Sequence, residues 1–69
     1  MQSVFVTGGK GFIGTNLVNE LRSRGCSVFT CDLIQHEDPQ HIKADCSEYQ
    51  QMDWVFRKHK FDFVYHLSA

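Results

Sequence analysis

A chain of 69 residues holds one domain at most, and at that length folding buries only roughly 60% of the surface that the unfolded chain exposes. Its 42% hydrophobic and 22% charged residues are those of an ordinary soluble globular protein and exclude the disordered and collagen-like classes. Seven basic against eight acidic side chains give a formal net charge of −1, so no basic footprint for nucleic acid or an anionic membrane exists and any phosphate binding is local.

The first strand-like residues follow directly on Met1, with no charged and apolar leader before them, which predicts a cytoplasmic location. No apolar run approaches the roughly 20 residues that span a bilayer, so no membrane role is expected. Cys26, Cys31 and Cys46 are odd in number and lack Cys-x-x-Cys spacing. That argues against a disulfide framework or a zinc site and for buried reduced thiols.

Ser3-Val4-Phe5-Val6-Thr7 is a β-branched and aromatic run that ends in glycines, as a buried parallel strand feeding a tight turn would. From Ile13, the residues Ile13, Leu17, Val18 and Leu21 recur at helical spacing and give one face to a sheet; Gly25 supplies the stop. Ser27 to Asp32 reads as a second strand, closing a β-α-β unit in about 30 residues. The polar stretch Gln35 to Gln40, with Pro39 inside it, predicts a solvated loop before a short strand at His41-Ile42-Lys43-Ala44.

Ser47 and Gln50 have the spacing of a capping box. Met52, Val55, Phe56 and His59 then follow with helical periodicity, and Arg57, Lys58 and Lys60 suit a helix C-terminus. Tyr49, Trp54 and Phe56 read as packing residues of that helix. Asp62 to Leu67 reads as a last strand, with His66 a core histidine at its end. The order β-α-β-β-α-β predicts an α/β, Rossmann-type doubly wound parallel sheet, and the further helices and strands of that fold lead us to expect a partial chain.

The chemistry concentrates at Gly8-Gly9-Lys10-Gly11-Phe12-Ile13-Gly14. A pyrophosphate needs close backbone approach, unpaired N–H donors and positive potential, which a strand, a glycine turn and a helix N-terminus supply together. Gly8 is expected to make the turn, Gly11 to let backbone approach the phosphates, and Gly14 to allow tight helix packing. Asp32, at the end of the second strand and eighteen residues past Gly14, either solvates a loop or accepts both adenosine ribose hydroxyls. In the second role it would repel a 2′-phosphate, favouring NAD over NADP.

Thr7-Gly8-Gly9-Lys10-Gly11-Phe12-Ile13-Gly14 resembles the TGGxGFIG fingerprint of extended short-chain dehydrogenases/reductases, the NAD-dependent epimerase/dehydratase family. Ala44-Asp45-Cys46 and Val64-Tyr65-His66-Leu67-Ser68-Ala69 are similar to two further motifs of that family, so the resemblance runs the length of the chain. It implies NAD as cofactor, with backbone at Phe12 and Ile13 on the pyrophosphate and Asp32 on the adenosine ribose. It further implies Asp45 on the adenine amino group with the Cys46 backbone beside it, and Leu67, Ser68 and Ala69 lining the path to nicotinamide. Ser68 stands where the family usually has Ala. By residue type alone, Asp45 reads equally as an acid flanking a helix cap.

The resemblance also implies a nucleotide-sugar substrate and a homodimer for the full-length enzyme, with hydride transfer assisted by a Tyr-x-x-x-Lys pair. That pair does not occur in these residues: Asp53 stands four places after Tyr49, and Ala69 four after Tyr65. Residues 1–69 are therefore expected to be the N-terminal part of an NAD-binding domain without turnover of their own. The alternatives are a non-catalytic NAD-binding or regulatory module and a truncated reading frame without activity. The run His36-Glu37-Asp38-Pro39-Gln40-His41 lacks the spacing of a zinc helix and reads as solvated loop.

Overall fold

The computed structural model describes residues 1–67. Among these, β1 (Ser3–Thr7), α1 (Phe12–Ser23), β2 (Ser27–Asp32), β3 (His41–Lys43), α2 (Tyr49–Lys58) and β4 (Phe63–His66) follow one another along the chain. The strands form one parallel sheet in the order β3-β2-β1-β4, the order of the first half of a doubly wound fold. The chain thus winds outward from β1 to β3 and then crosses back to place β4 on the other side of β1. Ligand crevices of such sheets open at the carboxyl ends of the strands where the winding reverses.

Alternation along β1 and β2 sends side chains to opposite faces, and each face carries its own helix. Val4, Val6 and Val28 cluster with Val18 of α1, flanked by Leu17, Leu21 and Cys26. Phe5 and Cys31 cluster with Ala44 and with Val55 of α2, flanked by Phe29, Ile42, Cys46, Met52 and Phe61. The two central strands are therefore buried on both sides, which is why they read as continuous apolar runs.

Several expectations from sequence are corrected. The capping box does not form: α2 starts from Glu48 without a side-chain cap, and the Ser47 hydroxyl donates to Asp45 Oδ1 at 2.6 Å instead. His59 lies just past the helix and packs on Phe29 and Phe61 at ring distances of 4.8 and 5.7 Å. Tyr49 is exposed rather than packed, and Lys58 sits 4.7 Å over the Trp54 ring. Phe56 does pack, edge-on to Phe5 at 5.5 Å. His66 is exposed, because all four residues of β4 lie at the open edge of the sheet. No helix among the described residues is long and apolar enough to cross a membrane.

The stretch between β2 and β3 is not simply solvated. Asp38 is half-buried and takes ion pairs at 3.1 Å from both Lys10 of the glycine turn and Arg22 of α1. Burial alone would raise its pKa, but the Gln40 N–H, Lys10 and Arg22 outweigh it and bring the carboxyl down to about 2. His41 is buried, with Nδ1 at 2.7 Å from Thr30 Oγ1 and Nε2 at 2.9 Å from the Ile34 carbonyl. Because that carbonyl can only accept, Nε2 carries a proton. The loop is thus tied to the turn after β1, to α1 and to β2.

Candidate cofactor site

Gly8 has φ +71°, in the region that a side chain disfavours, and its N–H donates to the Cys31 carbonyl at 2.9 Å. The chain can therefore reverse at the end of β1 while still bonded to β2. A Cβ on Gly14 would collide with the Gly8 carbonyl and stand 2.8 Å from Gly9 Cα. Side chains at this one helical position would push α1 away from the turn, so Gly14 sets how closely the helix start approaches β1.

Gly11 is the N-cap of α1 and adds no side-chain cap. Its carbonyl receives the Thr15 N–H at 2.8 Å, which leaves the N–H groups of the preceding first-turn residues without an acceptor inside the helix. Phe12 and Ile13 carry two of them, and both residues are largely exposed, at 86% and 70%. The positive end of the helix dipole is therefore presented bare, as an anion site needs.

Beside this turn lies a cavity of about 360 Å³, lined by Gly8, Cys31, Asp32, Leu33, Ala44, Asp45, Cys46, Ser47 and His66, within the size range of small-molecule sites. The ends of all four strands build it, with Gly8 following β1. β2 delivers Asp32, which is half-buried and accepts the Leu33 N–H at 2.7 Å. The segment after β3 delivers Asp45, whose N–H donates to Gln51 Oε1 at 2.7 Å and whose carbonyl accepts the Glu48 N–H. Hydrogen bonds from the Ser47 hydroxyl and N–H hold the Asp45 carboxyl below the usual carboxylate range, so it is an ionised acceptor at neutral pH.

β4 delivers His66, in register with Thr7, with Nδ1 at 2.8 Å from Thr7 Oγ1. Leu67 follows, its N–H bonded to the Thr7 carbonyl at 3.1 Å.

Of the residues singled out from sequence, Gly8, Asp32, Asp45 and Cys46 thus meet in one cavity, and Phe12 and Ile13 mark the helix end next to it. Gly11 and Gly14 shape the turn without lining the cavity. Leu67 lies at the end of β4, also outside the lining. Ser68 and Ala69 lie outside the described residues. Sequence reasoning missed Cys31, Leu33, Ala44, Ser47 and His66. Position alone could have found Cys31 and Leu33, which flank Asp32, and Ala44 and Ser47, which flank Asp45 and Cys46. His66 needed the β1–β4 register.

The fit to a dinucleotide is favourable on these grounds: a turn that a Cβ would fill, a bare helix N-terminus, and two carboxylates around a cavity large enough for a nucleoside. The sequence profile of the NAD dependent epimerase/dehydratase family matches residues 4–69. The UDP-glucose 4-epimerase of Halalkalibacterium halodurans is 32% identical over 73 residues, an alignment that covers 97% of this chain and 22% of that protein.

Among solved structures, the Thermotoga maritima UDP-glucose 4-epimerase with UDP-glucose superposes with a TM-score of 0.86 at 27% identity, covering 97% of this chain and 24% of that one. The Thermus thermophilus UDP-glucose 4-epimerase in complex with NAD gives 0.84 at 28% identity over the same shares. The chain spans about a quarter of the length of each of these three proteins.

Proposed function

Because this chain belongs to the NAD-dependent epimerase/dehydratase family, we propose that residues 1–69 form the adenosine and pyrophosphate side of an NAD site in a nucleotide-sugar epimerase-type enzyme. The observation that carries this reading is the meeting of Asp32 and Asp45 in one cavity beside the glycine turn. The Phe12 and Ile13 N–H groups donate to the pyrophosphate, where neither a side chain nor the helix itself competes for them. Asp32 accepts the adenosine ribose hydroxyls, and its charge disfavours a 2′-phosphate. Asp45, ionised and oriented by Ser47, accepts from the adenine amino group. Leu67, Ser68 and Ala69 lead from there toward the nicotinamide.

Bound NAD supplies a hydride acceptor for a sugar carbon; the residues described above bind and orient it and move no proton themselves. Without a Tyr-x-x-x-Lys pair, residues 1–69 alone are expected to show no epimerase or dehydratase turnover, and measurable turnover from them would contradict this reading. In the longer enzyme the substrate is a nucleotide sugar, as the names of the relatives suggest, and the assembly a homodimer. Calorimetric titration with NAD and NADP tests the cofactor assignment. NAD should bind more tightly, and Asp32→Ala should narrow the gap by about tenfold, the worth of one charge-dependent contact. Equal or reversed preference in the unaltered protein would refute the role of Asp32.

A further inference from the structure

The thiols of Cys31 and Cys46 have no part in the cofactor contacts proposed above, yet they stand together in the cavity. The two Sγ atoms are 3.3 Å apart, and both residues line the same cavity as Asp32 and Asp45. Cys31 sits on the rigid central strand β2, fully buried, with its Sγ also 3.5 Å from the Ala44 carbonyl. Cys46 is half-buried, on the irregular segment between β3 and α2. One thiol is thus shielded on a central strand; the other is only half-buried, outside the helices and strands. Packing alone would be served by one small apolar residue at each position, and both cysteines are free.

We propose that Cys31 and Cys46 form a hydroperoxide-reactive dithiol whose oxidation to a disulfide reshapes the adenosine cavity and weakens NAD binding. The effect on NAD rests on the function proposed above; the bond formation does not. In the first step the Cys46 thiolate attacks one oxygen of the hydroperoxide. An S–O bond forms, the O–O bond breaks, and the departing hydroxide or alkoxide takes up the proton that the Cys46 thiol gave up, leaving as water from hydrogen peroxide or as an alcohol from an organic hydroperoxide.

In the second step Cys31 Sγ attacks Cys46 Sγ; the S–S bond forms, the S–O bond breaks, and hydroxide leaves with the Cys31 proton as a second water. Two thiols lose two electrons and the hydroperoxide gains them. Burial, with the Cys46 thiol adding to it, pushes Cys31 up to about 12, which makes it a poor first nucleophile and assigns it the resolving position.

Closing the bond takes the sulfurs from 3.3 Å to about 2.05 Å. Because β2 is held between β1 and β3, and Ala44 is itself buried with its N–H on the Asp32 carbonyl, the shift falls on Asp45 and Cys46 beyond it. Asp45 is then drawn toward Asp32 and the cavity narrows. A transient, reversible disulfide of this kind suits a reducing compartment, where stable structural disulfides are rare.

The test treats the intact reduced protein with stoichiometric hydrogen peroxide, maps the products by peptide mass spectrometry, and measures NAD affinity before and after and again once a thiol reductant is added. We expect a Cys31–Cys46 cross-linked peptide, NAD binding weakened at least about tenfold, and recovery on reduction, with Cys26→Ser behaving as the unaltered protein. Cys46→Ser, whatever its starting affinity for NAD, shows no change in it on peroxide treatment. Cys31→Ala, if it folds, stops at a Cys46 sulfenic acid that a dimedone probe labels.

Peroxide that leaves both thiols free, or that oxidises Cys46 to sulfinic acid without a cross-link, overturns the proposal. So does a cross-link that leaves NAD affinity unchanged. Failure of the reduced protein to bind NAD at all would overturn the proposed function and the regulatory part of this inference, while the cross-link would still report on the dithiol.

Discussion

On the α1 face of the sheet, Val4, Val6, Val18 and Val28 close a small aliphatic core that stops short of the ligand cavity. On the α2 face, Phe5 stacks with Phe61 at 4.9 Å and meets Phe56 edge-on, and the same core runs on through Cys31, Ala44 and Cys46 into the cavity wall. One face therefore supports the glycine turn from below, and the other is continuous with the wall around the adenosine. Stability and cofactor binding are therefore coupled on one face: a change in the α2 core reaches Cys31, Ala44 and Cys46 of the cavity wall directly, whereas a change in the α1 core reaches the site only through the position of the helix start.

The largest expected effect follows from truncating the centre of the α2 core. Phe5→Ala removes a side chain that is fully buried and should cost about 3–5 kcal/mol of stability in chemical unfolding, with NAD affinity falling alongside. Val18→Ala, on the α1 face, should cost about 2 kcal/mol and leave NAD affinity nearly unchanged at temperatures where the variant is folded. Equal losses of affinity in the two variants would break the contrast between the faces.

Next in size is Gly14→Ala. Its methyl collides with the Gly8 carbonyl, so the start of α1 must move outward; about 1–3 kcal/mol of stability should go, and the pyrophosphate donors with it. Calorimetry should then detect little NAD binding while circular dichroism still shows a folded protein.

The smallest effect concerns the tether between the turn and the loop after β2. Asp38 has a carboxyl pKa brought down from 3.8 to about 2 in the folded protein. A lowered folded-state pKa gives stability that is present above the unfolded value and lost as protons bind. The Asp38 contribution should therefore be whole at neutral pH and disappear as pH falls from about 4 to about 2. Asp38→Asn should flatten that part of the acid unfolding curve. A variant with the same acid profile as the unaltered protein would show that the Lys10 and Arg22 pairs add nothing.

Much of this architecture is legible in local sequence because it rests on local rules. β1 and β2 alternate between two buried faces and end in turn-forming or acidic residues, so their bounds follow from Ser3 to Thr7 and Ser27 to Asp32 directly. Gly8, Asp32, Asp45 and Cys46 could be singled out because each falls at the end of a strand or just beyond it, where a parallel sheet gathers its loops. What was not legible depends on partners distant in sequence. Asp38 reads as loop because Lys10 and Arg22 lie 28 and 16 residues away. His41 reads as a short-strand residue beside a solvated loop until Thr30 is brought to it by the β2–β3 register.

Ser47 shows a different limit: Asp45 and the helix start compete for one hydroxyl, and the carboxylate, a charged acceptor two residues away, wins. For His66 and Tyr49 the period of the side chains was readable, but whether anything covers them was not.

Whether NAD seats in this cavity is read residue by residue in a titration of the 15N-labelled protein with NAD, followed by amide chemical shifts. The largest changes are expected at Phe12, Ile13, Leu33, Asp45 and Cys46, around the cavity and the start of α1. Changes confined to Lys43, Gln50 and Trp54, outside the cavity, or no changes at millimolar NAD, would contradict the proposed site.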